Sequence, residues 1–282
     1  MTEQSLPRAG QSRPNPSRPN PSRPNLFALP ARSLRWLPVY RRNFLVWRKL
    51  ALASLVGNVA DPLIVLLAFG YGLGRLLPEV DGLPYILFLA AGSLCMSTMT
   101  AASFESLYSA FSRMHVQKTW EALLNAPLEL DDIVIAEWLW AATKSLFSGV
   151  AIVLVIWALG ISCAPTLPLA LGVVLLTGLC FGAIGLCFNA VARSYDFFTY
   201  YFTLLMTPMT FLSGVYYPVS ALPDWLAPVA AVLPLAAAVD LARPLVIGEW
   251  PADWLRPLLT LVFFALAPLY LALVLTRRRF AG

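Results

Sequence analysis

Residues 145–192 read SLFSGVAIVLVIWALGISCAPTLPLALGVVLLTGLCFGAIGLCFNAVA, 48 positions without one charged side chain. A helix that crosses a bilayer needs ~20 predominantly apolar residues. The stretch therefore predicts two crossings, with Cys163-Ala-Pro-Thr-Leu-Pro168 as the turn between them. Working outward, Gly82 to Phe104, Phe197 to Pro223 and Pro257 to Thr276 give uncharged runs of 23, 27 and 20 residues. Leu50 to Gly74 is a further span, interrupted by Asp61-Pro62. The expectation is six spans. Trp225 to Val239 is uncharged for only 15 residues and carries Pro228 and Pro234, too short and broken to cross. It predicts a re-entrant or interfacial helical hairpin, tolerated where protein covers its backbone. The fold class is thus an all-α integral membrane protein: six transmembrane helices, an N-terminal amphipathic interfacial helix, and a re-entrant helical hairpin before the last span.

Composition agrees. Hydrophobic residues make up 59% of the 282 and charged residues 12%, about half the roughly 25% of soluble chains. That excludes a soluble enzyme, a coiled coil and a nucleic-acid-binding domain. Despite a pI near 9.2, no nucleic-acid partner is expected, because the positive charge flanks the spans on one side. With the N-terminus inside, sixteen Lys and Arg lie on the cytoplasmic side and three outside, with Lys144 in or beside the third span. This asymmetry orients the chain with both termini cytoplasmic. Residues 1–32 form an Arg/Pro/Asn/Ser-rich tail that repeats RPNPS from Arg13. Proline this dense predicts an extended, disordered segment, and the tail lacks the apolar core of a signal peptide. The span domain covers 50–276, and 277–282 is a basic cytoplasmic C-terminus. Cys95, Cys163, Cys180 and Cys187 form no CxxC pair, and a lone His115 has no neighbouring ligands, so no metal site and no catalytic residue is expected.

Residues 33–49 are expected to be the interfacial helix. Trp36, Leu37, Tyr40, Phe44 and Trp47 share one face, with Arg41, Arg42, Arg48 and Lys49 toward the other. Between the second and third spans, Thr119 is placed to cap a short helix that Pro127 ends, and Asp131 or Asp132 to cap the third span. A short inner helix with Trp120, Leu123 and Leu124 either packs on its own loops or docks in a partner. Ionisable residues in or near spans are functional candidates. Here they are Asp61, Glu105, Glu137 and Lys144, each on a substrate path or, for the last three, paired with another helix, with snorkelling also open to Glu105 near the inner end of its helix. Asp61 alternatively satisfies the kink at Pro62. Tyr200, Tyr201, Tyr216 and Tyr217 suit sugar faces, or form an interfacial belt.

Several stretches together resemble the permease subunit of type-2 ABC exporters, and more closely its nodulation protein J group. They are WLPVYRRNFLVW (36–47), ALASLVGNVADPL (51–63), FLAAG (88–92), MTAASFE (99–105), TWEALLNAPLELDDIVIAE (119–137), WAATK (140–144), and SYDFFTYY through TPMTFLSGVYYPVSALPDWL (194–226). The resemblance runs from Leu34 onward; the RPNPS tail departs from it. It implies a homodimeric permease in the bacterial inner membrane, exporting a lipidated, lipo-chitin-type oligosaccharide. Two copies of a separate ABC ATPase subunit would carry ATP and magnesium, leaving no cofactor in this chain. The absence of GxxxxGK[ST] from the sequence agrees. The resemblance makes 118–125 a coupling helix, with Lys118, Thr119, Trp120, Glu121, Leu123 and Leu124 as the partner-coupling residues, and makes 218–248 an outer hairpin. Other cargoes on the same architecture are capsular, O-antigen or teichoic-acid-type polysaccharide, or drugs. A membrane enzyme acting on a lipid is the reading from another class, disfavoured by the single histidine.

Overall fold

The computed structural model describes residues 26–30 and 34–281, leaving aside the side chains at 53, 55, 58, 59 and 61. The tail reading for 1–32 therefore lies outside the described residues except at 26–30.

The chain is helical almost throughout. Helix α1 (Trp36–Arg48) precedes α2 (Ala51–Leu67), which contains Pro62 and passes into a π-helical turn, Ala68–Gly72. A minimal hairpin, β1 (Glu79–Val80) and β2 (Leu83–Pro84), turns on Asp81 and Gly82, both with positive φ, as an Asp-Gly two-residue turn requires. Helix α3 (Tyr85–Phe104) continues through π-helical turns Glu105–Ser109 and Ser112–Val116. Then come α4 (Thr119–Leu124), α5 (Leu130–Ala158) and α6 (Ala170–Val191). The next stretch is α7 (Phe197–Tyr200), a π-helical turn Tyr201–Met206 and α8 (Thr207–Leu212). Helices α9 (Ala227–Ala230), α10 (Pro234–Ile247) and α11 (Leu255–Ala281) complete the chain.

Among the described residues, four helices are long and apolar enough to cross a membrane: Tyr85–Val116, Leu130–Ala158, Leu167–Val191 and Leu255–Ala281. The first and fifth expected spans are helical but shorter. Pro62 lies inside the 17 residues of α2, and the fifth stops at Leu212, where Ser213 and Gly214 (φ +71°) turn the chain. The stretch 218–248, where a hairpin is expected, holds α9 and α10. Helix α10 buries Leu235 to Val239 and packs on α3, α6 and α11, so protein covers its backbone.

Helix α3 is buried nearly all round and is the central element, whereas α11 exposes much of its length. Helix α6 lies against α11, α5 and α3. Small residues allow this approach. A Cβ on Gly178 would come within 2.0 Å of Ser145 Oγ, and one on Gly185 within 2.0 Å of Ser106 Oγ. Close backbone contact through Gly, Ala and Ser drives helix association where lipid removes the hydrophobic incentive. Helix α1 packs its aromatic face on α5. Tyr40 Oη meets Thr143 Oγ1 at 3.0 Å, Phe44 and Trp47 lie edge-on to Trp140, and Trp47 stacks on Phe147 at 4.7 Å.

Candidate coupling region

The ionisable side chains expected in or near the spans meet at a residue the sequence reading passed over. Arg113, in the second π-helical turn after α3, donates from Nη2 to Glu105 Oε1 at 2.8 Å and from Nε to Glu137 Oε1 at 2.8 Å, and also pairs with Glu137 Oε2. Lys144 Nζ reaches Glu105 Oε2 at 2.6 Å, and the Trp140 indole donates to Glu105 Oε1 at 2.9 Å. Glu105 and Glu137 are almost fully buried. Two carboxylates against a guanidinium and an ammonium give a neutral cluster that ties the C-terminal end of α3 to α5. Buried charges persist only when paired and hydrogen-bonded in this way. Arg42 of α1 borders the cluster. Burial lowers its pKa, while the Glu137 carboxylate opposes that shift. Asp61 lies outside the described side chains.

Helix α4 begins differently from the expectation. Lys118 occupies the N-cap in the left-handed region (φ +50°), and Thr119 is the first helical residue. Thr119 makes no cap; its Oγ1 accepts from Arg42 Nη2 at 3.4 Å. Trp120 is turned inward, 2% exposed, with its ring stacked on Phe280 of α11 at 6.3 Å. Leu123 and Leu124 are half-buried against the core. Lys118, Glu121 and Ala122 face outward. At α5 the caps are also reassigned. Glu129 is the N-cap and forms a capping box with Asp132, which leaves Asp131 to pair with Arg277.

The basic end of α11 holds these parts together. Arg277 donates to Asp131 and, from Nη1, to the carbonyls of Leu26 and Ala28 at 2.9 and 2.6 Å. Arg279 satisfies the terminal carbonyls of α6, at Asn189, Ala190 and Ala192 (2.9, 3.0 and 2.6 Å), and meets His115 Nε2 at 2.6 Å. A cation at a helix C-terminus is favoured by the helix dipole and by its unpaired carbonyls. Arg278, between them, is exposed. Sequence reading took this run only as a positive flank. The available signal was its length, since α11 needs none of the four residues 277–280 to cross.

The tyrosines do not gather at one surface. Tyr200 is exposed, whereas Tyr201 is fully buried with its hydroxyl on Ser103 Oγ at 2.8 Å. Tyr216 is half-buried, donating to Met96 Sδ at 3.3 Å, and Tyr217 is half-buried. Near Met96 a cavity of about 290 Å³ lies between α2 and α3, lined by Gly57, Pro62, Met96, Ser97, Thr100, Ala101 and Phe104. Among the described residues no group of His, Cys, Asp and Glu could hold a metal ion.

Comparison with known proteins places this arrangement. The profile of the ABC-2 type transporter family matches residues 36–246. Nodulation protein J of Rhizobium leguminosarum bv. viciae is 47% identical over 251 residues, 89% of this chain and 97% of that protein. Nodulation protein J of Rhizobium meliloti (strain 1021) is 44% identical over 252 residues, 89% of this chain and 96% of the relative. The inner membrane transport permease YadH of Escherichia coli (strain K12) is 26% identical over 191 residues, covering 67% and 72%. With the family profile spanning most of the chain, and with relatives above 40% identity along nearly their whole length, this multi-pass membrane protein belongs to the ABC-2 type transporter family.

Proposed function

We propose that the chain is the permease of an ATP-driven exporter that moves a lipidated oligosaccharide, of the lipo-chitin type, out across the bacterial inner membrane. Two copies form the conduit, and two copies of a separate ATPase subunit supply the energy. The chain crosses six times, with α2 and α7–α8 as the two shorter crossings, α1 in the inner interface, and α9–α10 as the outer hairpin. The observation that carries this reading is α4: a short helix clamped to the core through Trp120 and Phe280 while Glu121 and Ala122 face outward. A clamped helix moves as a rigid lever. When the ATPase closes on ATP, α4 shifts, and the Arg113 cluster passes that shift to α3 and α5. The lipid part stays in the bilayer, since each CH₂ costs ~0.8 kcal/mol to expose, while the sugar passes along the groove at Ser97 and Thr100.

This division of labour has a direct test. The Glu121→Arg and Ala122→Trp double variant is expected to fold normally and to lose co-purification with the ATPase subunit and ATP-dependent uptake of radiolabelled lipo-chitin oligosaccharide into inverted vesicles. Full uptake by that variant contradicts the docking assignment. Wild-type co-purification with uptake of a different saccharide alone contradicts the cargo.

A further inference from the structure

A second cavity, of about 160 Å³, opens between α1, α3 and α5. Its lining includes Arg42, Asn43, Trp47, Gln117, Arg113 and Lys144. Its volume equals about five waters, enough for a phosphoryl group. Three cations border it; Arg113 and Lys144 are paired with Glu105 and Glu137, which leaves the Arg42 guanidinium as the cation still to be answered. Asn43 is 4% exposed, and its Nδ2 has no acceptor; neither does the buried Trp47 Nε1. The Arg42 guanidinium is only weakly engaged, with 3.4 Å contacts to Asn43 Oδ1 and Thr119 Oγ1. Shielded donors without partners are costly, and beside a cavity they take acceptors from whatever fills it. A group that brings several acceptor oxygens and one negative charge answers every unspent donor at once.

Phosphoryl groups come from lipid or from solution, and the surroundings favour lipid. Val46, which lines the cavity, is an exposed apolar side chain of α1, and so is its chain neighbour Leu45. An acyl chain has an apolar contact there; a free ion gains nothing from it. We infer that the pocket between α1, α3 and α5 binds the phosphate of an anionic phospholipid, which bridges the interfacial helix to the Arg113 cluster. This goes beyond the general attraction of Arg41, Arg48 and Lys49 for a negative surface, because it depends on uncharged donors at fixed positions. Occupancy fixes α1 against α3 and α5, and so makes the stiffness of the lever dependent on lipid.

The test is native mass spectrometry of the full chain in detergent, titrated separately with phosphatidylglycerol, phosphatidylethanolamine and inorganic phosphate. Its outcome does not depend on membrane orientation, cargo or the ATPase, so it fails or succeeds separately from the proposed function. Wild type is expected to retain phosphatidylglycerol over phosphatidylethanolamine. The Asn43→Leu and Trp47→Phe double variant keeps every charge and the stacking on Phe147, and is expected to lose that retention by about tenfold or more. Arg41→Gln, an exposed charge on the same helix, is expected to leave it unchanged. Thermal melting of each variant checks the fold. Equal retention of both lipids by wild type, or unchanged retention in the double variant, overturns the site. Displacement of phosphatidylglycerol by inorganic phosphate at matching concentration overturns its assignment to lipid.

Discussion

Arg113 is where one side chain carries most. It pairs with two carboxylates that are almost out of reach of solvent. Arg113→Ala leaves both without their main partner, and removing one member of a buried pair typically costs about 3–5 kcal/mol. The expected result is a large loss of thermal stability in detergent, with Arg113→Lys recovering only part because one ammonium cannot replace a two-sided fork. Arg278→Ala, in contact with solvent, is expected to change stability by no more than about 0.5 kcal/mol. Glu105, Glu137 and Lys144 were legible in the sequence as costly groups needing partners. The common partner of the two carboxylates was not, because Arg113 was counted with the cytoplasmic positive flank. The π-helical turns that bring it back beside Glu105 leave no mark in hydropathy. Trp120 shows the same limit: its apolar character was plain, but the residue that covers it, Phe280, is 160 positions away.

At the scale of elements, α4 and the end of α11 form a unit. Shortening the chain after Thr276 removes Arg277, Arg279 and Phe280 together. On the proposed function, the expectation is a loss of thermal stability, since Asp131 is left unpaired, together with ATP hydrolysis that no longer drives export, measured as the ratio of transport to hydrolysis in vesicles. Preserved coupling in the shortened chain removes α11 from the lever. Lys118 offers a gentler check. A non-glycine residue at φ +50° stores about 1 kcal/mol or more, so Lys118→Gly is expected to raise the melting temperature slightly if the chain entering α4 is held there rather than fluctuating. The long helices were read from charge-free runs, and the start of α5 at Leu130, fifteen residues before its run at Ser145, lies beside Asp131 and Asp132, where the third span was expected to begin. Its early turns carry charge that is paired inside the protein, which hydropathy counts as a break. The fifth expected span came out as a shorter helix for a reason visible in the sequence, Ser213-Gly214, whereas α2 runs through Pro62 to Leu67 and passes into the π-helical turn.

For the whole molecule, the account rests on a topology in which α4 and the Arg277–Phe280 clamp lie on one side of the membrane and the α5–α6 turn on the other. The chain carries its own reporter. Of its four cysteines, Cys95, Cys180 and Cys187 are buried and Cys163, in that turn, is exposed. The decisive measurement is labelling of intact spheroplasts with a membrane-impermeant thiol reagent, on the wild-type chain and on a Cys163→Ser chain carrying Glu121→Cys. The wild type should label from outside without permeabilisation, and the Glu121→Cys chain only after the membrane is opened. Labelling of position 121 in sealed spheroplasts would put α4 on the outer face, out of reach of any ATPase, and contradict the account.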